Sequence, residues 1–188
     1  MTITSRPAPG CVQRIYETID TMTEVTGNAV SWLSLLLLLI TCVVVVLRYV
    51  FDSGSIALQE SVTYAHATLF MLAMAVTLRR GGHVRVDVFY SKFSPKTQAL
   101  VDVLGTLVFL LPVCTLIVVF SWDYVVNSWA IKESSAEASG IPAVYLLKTL
   151  LLVMPVMLML QGVAEMLKNT LFLCGRGGEH TPEKRELI

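Results

Sequence analysis

A chain of 188 residues with 55% hydrophobic side chains, only 15% charged ones and a mean hydropathy of +0.69 lies outside the range of water-soluble domains, which carry about a quarter charged residues. Its 14 basic and 14 acidic residues sum to zero net charge, so global charge offers no argument for a nucleic-acid partner. The charges are missing from four long segments, and this predicts an all-α integral membrane protein with four transmembrane helices preceded by an amphipathic interfacial helix.

Residues 1–10, which include Pro7, Pro9 and Gly10, are expected to form a flexible tail. Over 11–27 the positions Val12, Ile15, Tyr16, Ile19 and Met22 recur at helical spacing, with Arg14, Glu17, Asp20 and Glu24 on the other side. This pattern predicts an interfacial helix on the membrane surface, an arm that also touches another subunit. The competing reading is a soluble helix packed on a partner. A mostly polar stretch precedes the first apolar run and no small-x-small site follows it, so the first span is expected to stay as an anchor.

A four-helix transmembrane domain is predicted over 28–172, with spans at about 28–51, 56–78, 97–130 and 142–171. At ~1.5 Å per residue, about 20 apolar residues cross the hydrocarbon. Asp52 to Ser55 form a turn short enough to return the second span as an antiparallel neighbour. The third span carries Pro112 in its middle and the fourth carries Pro155, while Pro142 suits the first turn of the fourth.

The loops set the orientation. Arg79, Arg80, Arg85, Lys92 and Lys96 stand against the single acid Asp87 in the loop over 79–96, whereas Glu133 and Glu137 outweigh Lys132 in IKESSAEASGIP. Clustered Lys and Arg stay on the cytoplasmic side, so that loop and both termini, including the tail over 173–188, are expected in the cytoplasm. Trp122, Tyr124, Trp129 and Tyr145 fit an outer aromatic belt and Trp32 an inner anchor.

Ionisable residues gather near the predicted outer ends of the spans: Arg48, Glu60, Asp123 and Lys148 share one shallow layer. Glu60 and Lys148 are expected to pair within the bundle, because either charge alone is costly at that depth, and Arg48 and Asp123 to extend the network. The bland alternative is that each long side chain reaches water on its own. His83 and Asp87 lie four apart, too few ligands for a metal, and are read as groups that shape the basic loop. His66 is read as a hydrogen-bonded interior side chain, since a bis-imidazole haem needs a second intramembrane His. Cys11, Cys42, Cys114 and Cys174 are too far apart for a CxxC pair or a zinc site. No cofactor is expected.

RYVF at Arg48 to Phe51 (with Tyr49), Glu60 early in span two, HVRVD at His83 to Asp87 (with Arg85) and GIP at Gly140 to Pro142 stand in an order and spacing with a family likeness. Over roughly residues 12–167 the chain resembles the small membrane (Q-type) subunit of tripartite ATP-independent periplasmic (TRAP) transporters. Ser128 to Lys148 looks closest to the subgroup linked to mannitol-type and chloroaromatic-acid systems. The resemblance implies a bacterial inner-membrane subunit that binds a large permease subunit, with a periplasmic solute-binding protein delivering an organic acid. It further implies a sodium gradient as the driving force and a scaffold role for the small subunit.

The residues themselves favour a scaffold over a carrier. A carrier places broken helices or charge near the bilayer midplane, whereas the central layers at Leu38 to Thr41, Phe70 to Ala73, Leu110 to Thr115 and Leu152 to Pro155 contain no charged residue. Two other classes compete: a small membrane redox protein using quinone, haem or thiols, and a self-assembling channel. Cofactor absorbance in the purified protein distinguishes the first, and ion conductance by this chain alone the second.

Overall fold

The computed structural model describes residues 11–81, 90 and 92–175. In chain order these form α1 (Cys11–Tyr49), α2 (Ile56–Arg79), α3 (Pro95–Gly105), a π-helical turn (Thr106–Leu110), α4 (Leu111–Ala130) and α5 (Val144–Leu173), with no strand among the described residues. The third span is continuous from Pro95 to Ala130, so four helices are long and apolar enough to cross a membrane.

The separate interfacial helix over 11–27 is not observed, because α1 runs unbroken for 39 residues, about 58 Å at 1.5 Å per residue. That is close to twice a hydrocarbon thickness of ~30 Å. Gly27 is the weakest helix former near the expected break, a cost of about 1 kcal/mol against Ala. It stays helical because α2 packs on it: a Cβ at Gly27 would meet Val76 Cγ1 at 2.9 Å. The amphipathic pattern is not sorted as expected: Tyr16 and Ile19 are half-buried and Arg14, Glu17 and Glu24 exposed, but one acid and some of the apolar positions exchange sides. Asp20 is half-buried and Thr23 buried towards the bundle, whereas Ile15, Met22 and Val25 face outward.

Pro112 sets the shape of the third span. In a regular α-helix its ring would collide with the carbonyl four residues earlier and leave that oxygen without a donor. The turn before it widens instead, and Leu111 N–H donates to Thr106 O, five residues back. This widened turn packs on Gly162 of α5, where an added Cβ would lie 2.8 Å from Leu110 Cδ2 and 3.2 Å from Thr106 Cγ2. At the other end Pro95 occupies the first turn of α3, and Ser94 Oγ caps it by accepting from Thr97 N–H at 3.3 Å.

The fourth span begins at Val144, so Pro142 lies before the helix rather than in its first turn. The preceding loop captures the backbone that would have extended it: Ser135 N–H donates to Ile141 O at 3.3 Å and Val144 N–H to Glu133 O at 3.1 Å.

Helix α5 is the centre of the bundle and packs against α1, α2, α3, the π turn and α4. Its buried residues are Pro155, Gln161, Gly162, Ala164 and Asn169. Ala65, Ala75, Ala99 and Cys114 fill the other contacts, while Leu38, Phe109 and Phe120 face outward. Lipid tails are as apolar as leucine, so helices in a bilayer associate through small residues that permit close approach, and large apolar groups are left to the membrane.

Candidate functional site

Two polar clusters hold the bundle, one at each end. The first joins α1, α2 and α5 beside the basic loop. Gln161 of α5 is fully buried, and its amide oxygen accepts the Thr23 hydroxyl of α1 at 2.7 Å. Its two N–H groups are also used: Gln161 Nε2 donates to Asp20 Oδ1 at 3.0 Å and to Glu165 Oε1 at 3.2 Å. Such satisfaction is what a buried amide needs, since an unpaired one costs several kcal/mol of lost hydration.

Ion pairs surround that amide. Lys168 Nζ lies 2.6 Å from Asp20 Oδ2 and 3.0 Å from Glu165 Oε1, and 5.7 Å from the centre of the Tyr16 ring. From α2, Arg79 reaches Glu24 Oε2 at 3.2 Å and Asp20 Oδ1 at 3.9 Å. Asp20 therefore touches both α2 and α5, which explains why it turns inward while Arg14, Glu17 and Glu24 stay exposed.

The second cluster lies under the loop over 131–143 at the opposite end. Glu60 of α2 accepts the Ser135 hydroxyl and, at 2.6 Å, the Ile141 N–H. Gly140 is required by that approach, since a Cβ there would stand 2.7 Å from Glu60 Oε1 and collide with Ser135. Lys148 of α5 donates to Glu133 Oε2 at 2.5 Å and rests 3.9 Å from the Tyr124 ring centre. The Lys148 ammonium holds the Glu133 carboxyl below the usual carboxylate range. Lys132, at φ 49°, lies 4.3 Å from the Trp129 ring and 4.9 Å from that of Tyr145. Trp129 Nε1 donates to Thr149 Oγ1 at 2.8 Å.

The expected Glu60–Lys148 pair is thus absent, because the loop supplies each charge with a closer partner. The Glu60 carboxylate accepts hydrogen bonds from an N–H and an O–H, and Lys148 is paired with Glu133. Arg48 and Asp123 do not extend this network: both are exposed and neither forms a salt bridge among the described residues. Tyr49 is 80% exposed beside Arg48. His66 is also exposed rather than interior, stacked one turn from Phe70 with ring centres 6.4 Å apart. His83, Arg85 and Asp87 lie outside the described residues.

Sequence reasoning missed Gln161 and its partners Thr23, Asp20, Glu165 and Lys168. The available signal was an amide directly after the apolar stretch Leu150 to Leu160. No group of three potential metal-binding side chains occurs among the described residues. What both clusters do chemically is fasten helices, since their carboxylates are engaged by cations or by N–H and O–H donors.

A family model described as "Tripartite ATP-independent periplasmic transporters, DctQ component" matches residues 37–171. The chain belongs to the DctQ family. The likeness to the small TRAP subunit is therefore borne out, and the chain is a multi-pass membrane component of a tripartite transporter, which implies partner subunits. DctQ is a family of transporter components rather than of enzymes. The match takes in Glu60, Lys148 and Gln161 and begins beyond Asp20 and Thr23, so the α1 half of the first cluster lies outside it. No curated protein and no solved structure matches the chain.

Proposed function

We propose that this DctQ chain is a non-catalytic scaffold that stabilises the large permease subunit of a TRAP transporter during sodium-driven uptake of an organic acid. A periplasmic solute-binding protein delivers the solute, the chain sits in a bacterial inner membrane, and both termini and the loop over 79–96 face the cytoplasm. The observation that carries the reading is the placement of charge. Asp20, Arg79, Glu165 and Lys168 engage one another at one end, and Glu60, Glu133 and Lys148 are engaged at the other. The layers between them contain no charge. An ion crossing the middle of this bundle would meet no compensating group.

A scaffold also needs a rigid interior and a broad apolar exterior. The central α5, packed on every other helix, provides the first, and the outward sides of α1 and α4 provide the second. Purification through a tag on this chain in mild detergent tests the reading. A large hydrophobic polypeptide in stoichiometric amount, with solute uptake in proteoliposomes requiring both chains and sodium, is the expected result. Ion conductance or solute uptake by this chain alone would overturn it.

A further inference from the structure

A groove of about 390 Å³ follows the seam between α1 and α2, within the ~300–1,000 Å³ typical of small-molecule sites. Val30, Leu69, Ala73 and Val76 give it apolar walls. The hydroxyls along it are turned back into their own helices: Ser31 Oγ donates to Gly27 O at 2.8 Å, Ser34 Oγ to Ser31 O at 2.6 Å and Thr77 Oγ1 to Ala73 O at 2.8 Å. The groove therefore presents hydrocarbon along its length. Arg80 stands at one end, as the C-cap of α2, exposed and without a carboxylate partner among the described residues. Its neighbour Arg79 is held by Glu24 and Asp20, so among the described residues Arg80 is the cation at the groove mouth without a carboxylate.

We propose that this groove seats one anionic phospholipid, with its phosphate at Arg80 and an acyl chain along the α1–α2 seam. The dimensions fit that occupant. From Arg80 back to Leu69 is about 16 Å of helix at 1.5 Å per residue, half of a hydrocarbon core of ~30 Å and so the depth of one leaflet. A partner helix would cross the whole bilayer, whereas the residues lining this groove run only from Gly27 to Ser34 on α1 and from Leu69 to Arg80 on α2. Basic groups at the mouth of an interhelical pocket recognise lipid phosphates, and an unpaired Arg favours headgroups with net negative charge.

Native mass spectrometry of the full-length chain in mild detergent tests this, with dioleoyl phosphatidylglycerol and dioleoyl phosphatidylcholine added in equal amounts. One phosphatidylglycerol should be retained in preference. Arg80→Gln, at an exposed cap that leaves the melting temperature unchanged, should reduce that retention about fivefold, the effect of one basic residue near an anionic headgroup. Arg80→Lys should restore part of it, and Ala73→Phe, which fills the groove, should lower retention of both lipids. Equal retention of the two lipids by the native chain, or undiminished phosphatidylglycerol on Arg80→Gln, would overturn the proposal. So would a photo-cross-linker at Ser34 that labels a polypeptide instead of lipid in native membranes.

Discussion

Gln161 in α5 donates to Asp20 in α1 at 3.0 Å while it accepts the Thr23 hydroxyl at 2.7 Å, so one buried amide fixes two consecutive turns of α1 to the centre of the bundle. This contact decides the course of the N-terminal half of α1. A segment whose polar groups found only water on their inner side would be free to lie flat. With Gln161, Lys168 and Arg79 as partners, the segment instead continues as part of the unbroken α1.

Replacing Gln161 with Leu keeps the volume but strands the Thr23 hydroxyl and one face of Asp20. A loss of about 1–2 kcal/mol is expected, in line with interhelical hydrogen bonds and newly unpaired buried groups. Thermal unfolding in detergent reads it. Adding Thr23→Val to Gln161→Leu should cost little more than Gln161→Leu alone, because the two side chains share one bond; additive losses would show that they act separately.

Much of this architecture is legible in the sequence, and the failures have a common cause. Four charge-free runs give four spans and Asp52 to Ser55 mark a turn, whereas the widening of the turn before Pro112 is seen only in the structure. Periodicity shows that the segment over 11–27 has two sides but not which one turns inward, because a membrane accepts an apolar surface as readily as a core does. The predicted Glu60–Lys148 pair failed similarly. Equal depth was readable, but the path of the loop was not, and it is the loop that brings Glu133 to Lys148 and the Ile141 N–H to Glu60. Gly140 and Pro142 were recognisable as a motif, whereas the reason for the glycine, the carboxylate 2.7 Å from where its Cβ would stand, is tertiary.

Gly140→Ala should therefore release the loop rather than unfold the bundle. The added methyl displaces Ser135 and Glu60 together, which removes both donors from the Glu60 carboxylate. Limited proteolysis within 131–143 should accelerate severalfold while the helical content by circular dichroism is kept. Combining Gly140→Ala with Glu60→Gln should add little further cleavage, since both lesions break the same attachment.

The Glu133–Lys148 pair gives a pH dependence with a definite sign. The ammonium holds the Glu133 carboxyl below its ordinary value, so the pair's contribution is fully present above about pH 4.3, the usual titration point of an unfolded Glu. It is lost as pH falls below that point and through the lowered folded value. The difference in melting temperature between the native chain and Glu133→Gln should be largest at neutral pH and shrink on acidification below pH ~4. A difference that stays constant down to pH ~2 would mean the carboxylate contributes nothing through its charge.

The contact between Gly162 and the widened turn before Pro112 allows a two-part test of how the third and fourth spans are matched. Gly162→Leu places a branched side chain where Leu110 Cδ2 would stand only 2.8 Å from a single Cβ and Thr106 Cγ2 3.2 Å. Overpacking of this kind costs about 1–3 kcal/mol, and melting in detergent should fall accordingly. Pro112→Ala restores the missing N–H and lets the helix close with regular bonding, so the turn over Thr106–Leu110 narrows and shifts Leu110 relative to Gly162. If the π turn exists to relieve the proline, Gly162→Leu should be less damaging in the Pro112→Ala background than in the native one. Equal damage in both backgrounds would mean that the packing of α5, rather than Pro112, widens the turn.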